Sequence, residues 1–133
     1  MIHLMTGDVL ERLRRIPSKS VELILTDIPA APREAVWAEL ERVISPSGAA
    51  VMVSALVPLP AAILEQIIQA YTGVGGTVLD FSMGAGETGV ACANTGRRFV
   101  GIEHDLGDAK TAQEDIWAAA AQVRTVSSAG VFS

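Results

Sequence analysis

The chain has 133 residues, half of them hydrophobic and 19% charged, with a formal net charge of −5. That length and balance suit one globular domain with a sizeable core, residues 1–133, and exclude a disordered, fibrous or solenoid chain. The negative balance also excludes a broadly basic surface of the kind that holds duplex DNA by neutralising phosphates.

The elements follow in chain order. Ile2 to Met5 is a short apolar run that reads as a strand, and Val9, Leu10, Leu13 and Ile16 recur at helical spacing over residues 8–16. Pro17-Ser18 ends that helix. Val21 to Thr26, aliphatic and bounded by polar residues, reads as a buried parallel strand that delivers Asp27 at its carboxyl end. A helix is expected over residues 32–44, with Val36, Leu40, Val43 and Ile44 on one face, followed by a turn at Ser45-Pro46-Ser47-Gly48 and a strand from Ala49 to Ser54.

Pro60 fits the first turn of a helix whose apolar stripe is Ile63, Leu64, Ile67, Ile68 and Tyr71, stopped by Gly73, Gly75 and Gly76. Thr77 to Phe81 is a strand, Ser82 to Gly86 a glycine-rich loop, Glu87 to Asn94 a helix of small residues, and Arg98 to Glu103 the next strand. Ala109 to Val123 is an alanine-rich helix. The residues from Arg124 onward are weakly patterned and are expected to fray or to add an edge strand. This alternation predicts an α/β domain: a doubly wound, mostly parallel sheet with helices on both faces.

Such sheets bind ligands at the carboxyl ends of their strands, near the switch in strand order. Three acids stand at predicted strand ends: Asp27, Asp80 and Glu103. Between the last two, the strand ending in Asp80 turns through Gly84-Ala85-Gly86 into a helix. The glycines admit close backbone approach, and the helix start offers unpaired N–H groups. Glu103, ending the following strand, is placed to accept the two hydroxyls of a ribose. A tight ligand-free turn and a dinucleotide site share much of this pattern. Asp80 would sit poorly beside a pyrophosphate, whereas it suits the ammonium of an amino acid. That points to S-adenosylmethionine.

The stretch VLDFSMGAGETGVACANTGRRFVGIEHD resembles the cofactor-binding region of the β-class DNA amino-methyltransferases. Asp80, Gly84, Gly86, Thr88, Gly89, Gly96, Arg97, Phe99, Gly101, Ile102 and Glu103 match that family's pattern, while Phe81, Ser82, Ala85 and Glu87 depart from it. Gly7-Asp8 with VLERL resembles the family's opening segment. Arg42 to Gly48 resembles its turn, and the Pro60 helix resembles the one before its glycine loop, with Leu59 in place of the usual lysine. The resemblance covers roughly residues 2–116. It implies a reduced, Rossmann-like methyltransferase fold in the permuted order, with the catalytic segment before the cofactor segment. The cofactor set it implies is Asp8, Asp80, Ser82, Met83, Gly84, Ala85, Gly86, Thr88, Glu103 and His104. It implies no metal and no proton-transfer base, since alignment of the target amine with the methyl group supplies much of the catalysis.

In that family an Asp-Pro-Pro-Tyr or Ser-Pro-Pro-Tyr segment holds the target amino group, and its aromatic ring stacks on the flipped base. Here the segment is Asp27-Ile28-Pro29-Ala30: the acid and second proline are kept, and the aromatic is gone. Asp27, Ile28 and Pro29 are the expected catalytic residues. The acid leans toward adenine N6 over cytosine N4. The alternative is a disabled methyltransferase fold serving as a binding or regulatory partner.

Little chain separates Asp27 from Arg42, or Ser54 from Pro60, so no target-recognition domain is expected. DNA is the expected partner, held weakly or without sequence preference by this chain alone. Exposed aliphatic surface where the missing region normally packs points to a homodimer. The basic residues Arg12, Arg14, Arg15 and Lys19, with Arg97 and Arg98, read either as solvated charges or as a local phosphate patch. The lone Cys92, within GVACAN, reads as a buried structural thiol and allows no internal disulfide. The longest apolar stretch, residues 49–62, is broken by Ser54, Pro58 and Pro60, so no membrane span is expected. With no leader pattern at the start, the expected location is the cytoplasm, in a restriction-modification or phage setting.

Overall fold

The structure, a computed structural model, describes residues 1–27, 33–53 and 59–132. Among these residues the chain runs β1 (Ile2–Thr6), α1 (Val9–Leu13), β2 (Val21–Asp27), α2 (Glu34–Val43), β3 (Ile44–Val53), α3 (Ala61–Tyr71), β4 (Thr77–Asp80), α4 (Glu87–Thr95), β5 (Arg98–Glu103) and α5 (Leu106–Phe132). The strands form one sheet in the order β1-β5-β4-β2-β3, and every described pairing is parallel. This is the doubly wound α/β arrangement expected from the alternation of elements.

Side-chain alternation along the strands builds two cores. Leu23, Leu25, Val78 and Phe99 face α3, α4 and α5, meeting Leu64, Ile68, Ala91, Cys92, Ala112 and Ile116. Ile24, Leu79 and Ile102 face the other way, meeting Leu13 and Ile16 and, from α2, Val36, Leu40 and Val43. The α2 trio repeats every three to four residues, which places one apolar stripe against the sheet.

Three expectations are corrected. First, α1 ends at Leu13, because Arg15 and Ile16 donate to the carbonyls of Arg12 and Leu13, three residues back, in tight turns. Second, the Ser45–Gly48 turn lies inside β3 as an irregularity. Val21 pairs with Ile44 while Leu23 pairs with Ala49, so the extra residues of β3 bulge between two paired segments. Third, α5 begins at Leu106, where the Asp105 carboxylate accepts the N–H of Asp108. It continues to Phe132 rather than fraying or forming a strand from Arg124. Nothing after Val123 is a proline that would stop it.

Candidate functional site

The strand order reverses direction at β4. From β4 the chain moves outward to β5 on one side, while β2 leads outward to β3 on the other. The tips of β4 and β2 therefore bound the crevice where open α/β sheets take ligands. β4 ends at Asp80 and β5 at Glu103; Asp80 lies opposite Gly101, so β5 reaches past β4. Next to it, β1 ends at Thr6, opposite Glu103, and the Gly7 N–H donates to the Glu103 carbonyl at 3.3 Å.

The loop leaving β4 folds over the tip of β5. The Met83 N–H donates to the Ile102 carbonyl at 3.0 Å, and the Gly84 N–H donates to Glu103 Oε1 at 3.0 Å. Gly86, with φ of +93°, starts α4 in a backbone conformation that side chains resist, and an added Cβ there would stand 2.8 Å from Ala112. A Cβ on Gly89 would strike Phe99 and Ile116, so this third glycine lets α4 settle against β5 and α5. A Cβ on Gly84 would meet nothing within 4 Å: the loop is open on that side.

Both acids are almost fully buried, Asp80 at 3% exposure and Glu103 at 6%. Asp80 Oδ1 accepts the Thr26 hydroxyl at 2.8 Å and the Ser82 N–H at 3.0 Å. Glu103 Oε1 takes the Gly84 N–H, and Oε2 takes the Asp105 N–H at 2.9 Å. A carboxylate oxygen has two acceptor directions, so one amide on each leaves Glu103 able to receive a pair of neighbouring hydroxyls. These residues fit a nucleoside whose ribose lies on Glu103, with the loop backbone beside it.

The other expected cofactor residues divide. Ser82 is half-buried, with Oγ 3.1 Å from Thr26 Oγ1. Met83 is buried in the core against Gly101, and its carbonyl accepts the Gly86 N–H, so it builds the loop. Ala85 is exposed and lines a cavity of about 370 Å³ with Leu59, Leu64, Glu87, Val90 and Asp115. Thr88 is buried in the first turn of α4. His104 is 81% exposed, its Nδ1 3.4 Å from Glu103 Oε2. Asp8 caps α1, Oδ2 accepting the Glu11 N–H at 3.0 Å, and lies 4.0 Å from Arg33.

Asp27 is placed by its backbone at the tip of β2, paired with Val53; Ile28, Pro29 and Ala30 lie outside the described residues. Sequence reasoning missed Thr26. The available signal was a lone hydroxyl following the aliphatic run Leu23-Ile24-Leu25 and preceding the strand-end acid.

Arg97 leaves the group of candidate phosphate contacts. It is buried, donating from Nε to Thr72 Oγ1, from Nη2 to the Thr72 carbonyl and from Nη1 to the Thr95 carbonyl. It thus ties together the carboxyl ends of α3 and α4. Arg12 donates to the Thr6 carbonyl, whereas Arg14, Arg15, Lys19 and Arg98 are exposed. Cys92 is buried. Among the described residues there is no group of three or more metal-ligating side chains, and no helix is long and apolar enough to cross a membrane.

A family model described as DNA methylase matches residues 55–114, which span α3, the glycine loop and β5. No curated protein sequence matches significantly. Among solved structures, the chain is similar to TTHA0409, a candidate DNA modification methylase from Thermus thermophilus. The TM-score is 0.78 at 18% identity, over 90% of this chain and 96% of that one. M1.HpyAVI matches with a TM-score of 0.76 at 19% identity, over 87% and 98% of the two chains. The cytosine-N4-specific PvuII DNA methyltransferase matches at 0.71 and 12% identity, over 92% of each. TTHA0409 and M1.HpyAVI have each also been solved with S-adenosylmethionine. The likeness establishes the fold: a reduced Rossmann-like sheet of the methyltransferase type.

Proposed function

We propose that this chain is an S-adenosylmethionine-dependent DNA amino-methyltransferase, acting on adenine N6 in preference to cytosine N4. The observation that carries the reading is the pair of buried carboxylates, Asp80 and Glu103, on adjacent strand tips around an open glycine loop. The match to the DNA methylase family over that same segment, and the cofactor complexes of two fold neighbours, support it.

When bound, S-adenosylmethionine supplies an electrophilic methyl group on sulfur. Glu103 holds the ribose hydroxyls, and Asp80, with the Ser82–Gly86 loop and the first turn of α4 at Thr88, holds the amino-acid end. Asp8 and His104 flank the nucleoside from the neighbouring tips. Asp27 accepts hydrogen bonds from the target amino group, with a main-chain carbonyl of the Ile28-Pro29 segment as second acceptor, turning the nitrogen lone pair toward the methyl group. The preference for adenine rests on the acid at Asp27, where cytosine-N4 enzymes of the resembled family often carry serine. Exposed Trp37, Met52 and Trp117 support a homodimer as the working form.

A second reading, a fold that keeps its cofactor but transfers nothing, is favoured by Ala30 and Ile28 in the catalytic segment. Base stacking on an aromatic contributes about 1–3 kcal/mol, so its loss weakens capture of a flipped base by about 5- to 150-fold. Isothermal titration with S-adenosylmethionine, followed by incorporation of labelled methyl groups into unmethylated DNA, separates the two. Saturable binding with label on adenine N6 is expected. Binding without incorporation gives the second reading, and absence of binding removes both.

A further inference from the structure

Between β2 and β4, the described backbone pairing covers only Leu23 with Val78 and Ile24 with Leu79. On its other side β2 stays paired with β3 as far as Asp27 and Val53. Thr26 links the tips of β2 and β4 through side chains. It is 1% exposed and lies one residue before Asp27, and its hydroxyl donates to Asp80 Oδ1 at 2.8 Å. Its oxygen is also 3.1 Å from Ser82 Oγ. A hydroxyl has one proton, and that of Thr26 is committed to Asp80, so Ser82 is the donor in the second bond. The chain of donation runs from Ser82 to Thr26 to Asp80. Ser82 is one of the positions where this sequence departs from the pattern it resembles, so the link to the loop belongs to this chain.

We propose that Thr26 is the positioning residue of the site. It fixes the Asp80 carboxylate under the glycine loop and clamps the β2 tip, and Asp27 with it, to the cofactor side of the crevice. This rests on the reading above that Asp80 helps to hold S-adenosylmethionine. Charge-assisted bonds to a buried carboxylate are among the stronger hydrogen bonds, and they set its rotamer as well as its energy.

The test compares the full-length wild type with Thr26→Val, which keeps the shape and removes the donor, and with Thr26→Ser, which keeps the donor. S-adenosylmethionine binding is read by titration calorimetry, and circular dichroism melts confirm that each variant is folded. Thr26→Val is expected to bind about tenfold more weakly, and Thr26→Ser to return to within about twofold of wild type. Equal affinity of Thr26→Val and wild type overturns the proposal. So does a Thr26→Ser variant as weak as Thr26→Val, since the methyl group's packing would then be the cause. A wild type that binds no S-adenosylmethionine overturns the underlying reading first, and the proposal with it. If Thr26→Val fails to fold, Thr26→Ala and Thr26→Ser decide: about tenfold weaker binding in the first with near-wild-type affinity in the second supports the clamp, and equal affinity in the two rejects it.

Discussion

Gly84 and Glu103 are joined by a hydrogen bond from the loop amide to a buried carboxylate oxygen, 3.0 Å long. The bond locks the bend after β4 onto the tip of β5. One acid therefore shapes the loop on one oxygen while its other oxygen takes the Asp105 N–H at the start of α5. The pairing of Thr6 with Glu103 brings the start of the β1–α1 connection to the same place. The site is thus built from segments far apart in sequence, with the parallel sheet as the jig.

Glu103→Gln is expected to weaken S-adenosylmethionine binding by about thirtyfold, equivalent to about 2 kcal/mol. The amide group of glutamine presents N–H donors to either the Gly84 or the Asp105 N–H, so one loop amide loses its acceptor and the ribose loses another. Glu103→Ala should abolish binding. Titration calorimetry measures both, and wild-type affinity in Glu103→Gln would rule out the ribose role.

Much of this arrangement was legible in the sequence. The strand ends at Asp27, Asp80 and Glu103 could be read because aliphatic runs closed by an acid have few other meanings in an alternating α/β pattern. Ser45–Gly48 and Arg97 were less readable. Proline, serine and glycine do mark a departure from regular pairing, but only the partner strand decides whether that becomes a loop or a bulge. An arginine beside another arginine looks like surface charge until two helix ends are brought to it. The role of Thr26 was hidden for a similar reason: its hydroxyl could be noticed at the end of β2, but its partner is far along the chain, and only the β2–β4 neighbourhood joins them.

Gly89→Ala should destabilise the fold by about 1–3 kcal/mol, the usual cost of inserting a methyl group into a packed interior. The new Cβ would come within 2.7 Å of the Phe99 ring and closer still to Ile116, both fully buried. Gly73→Ala is the matched control, since a Cβ there meets nothing within 4 Å, and its effect should stay within about 0.5 kcal/mol. Urea unfolding followed by circular dichroism gives both values. Similar midpoints for the two variants would contradict the close approach of α4 to β5 and α5.

Arg97→Met is expected to cost about 2–3 kcal/mol of stability, because it strands the Thr72 and Thr95 carbonyls at two helix ends. Arg97→Lys should recover little of this, as one ammonium cannot reproduce a planar fork that reaches three acceptors. Arg98→Ala, at an exposed neighbour, should be close to neutral. Salt-dependent DNA binding adds a second check: Arg97 touches helix ends rather than phosphate, so the slope of log affinity against log salt should be unchanged in Arg97→Met.

Burial pushes the Cys92 thiol far above its usual range; the nearby Asp80 charge adds to the rise and Arg97 opposes it. The unfolded thiol ionises near pH 8.5, while the folded one stays protonated. Above that pH the unfolded state releases a proton that the folded state keeps. The contribution of this group is therefore fully present below about pH 8.5 and is lost progressively as pH rises through the alkaline range, by about 1.4 kcal/mol per pH unit once the unfolded thiol is ionised. Urea midpoints measured from pH 7 to 10 should fall more steeply in the wild type than in Cys92→Ala. Ellman's reagent should label the native chain slowly and the urea-unfolded chain at once. Rapid labelling of the native chain, or identical pH slopes for the two proteins, would show that the α4 face bearing Cys92 opens to solvent and is not the sealed core between α3, α5 and the sheet.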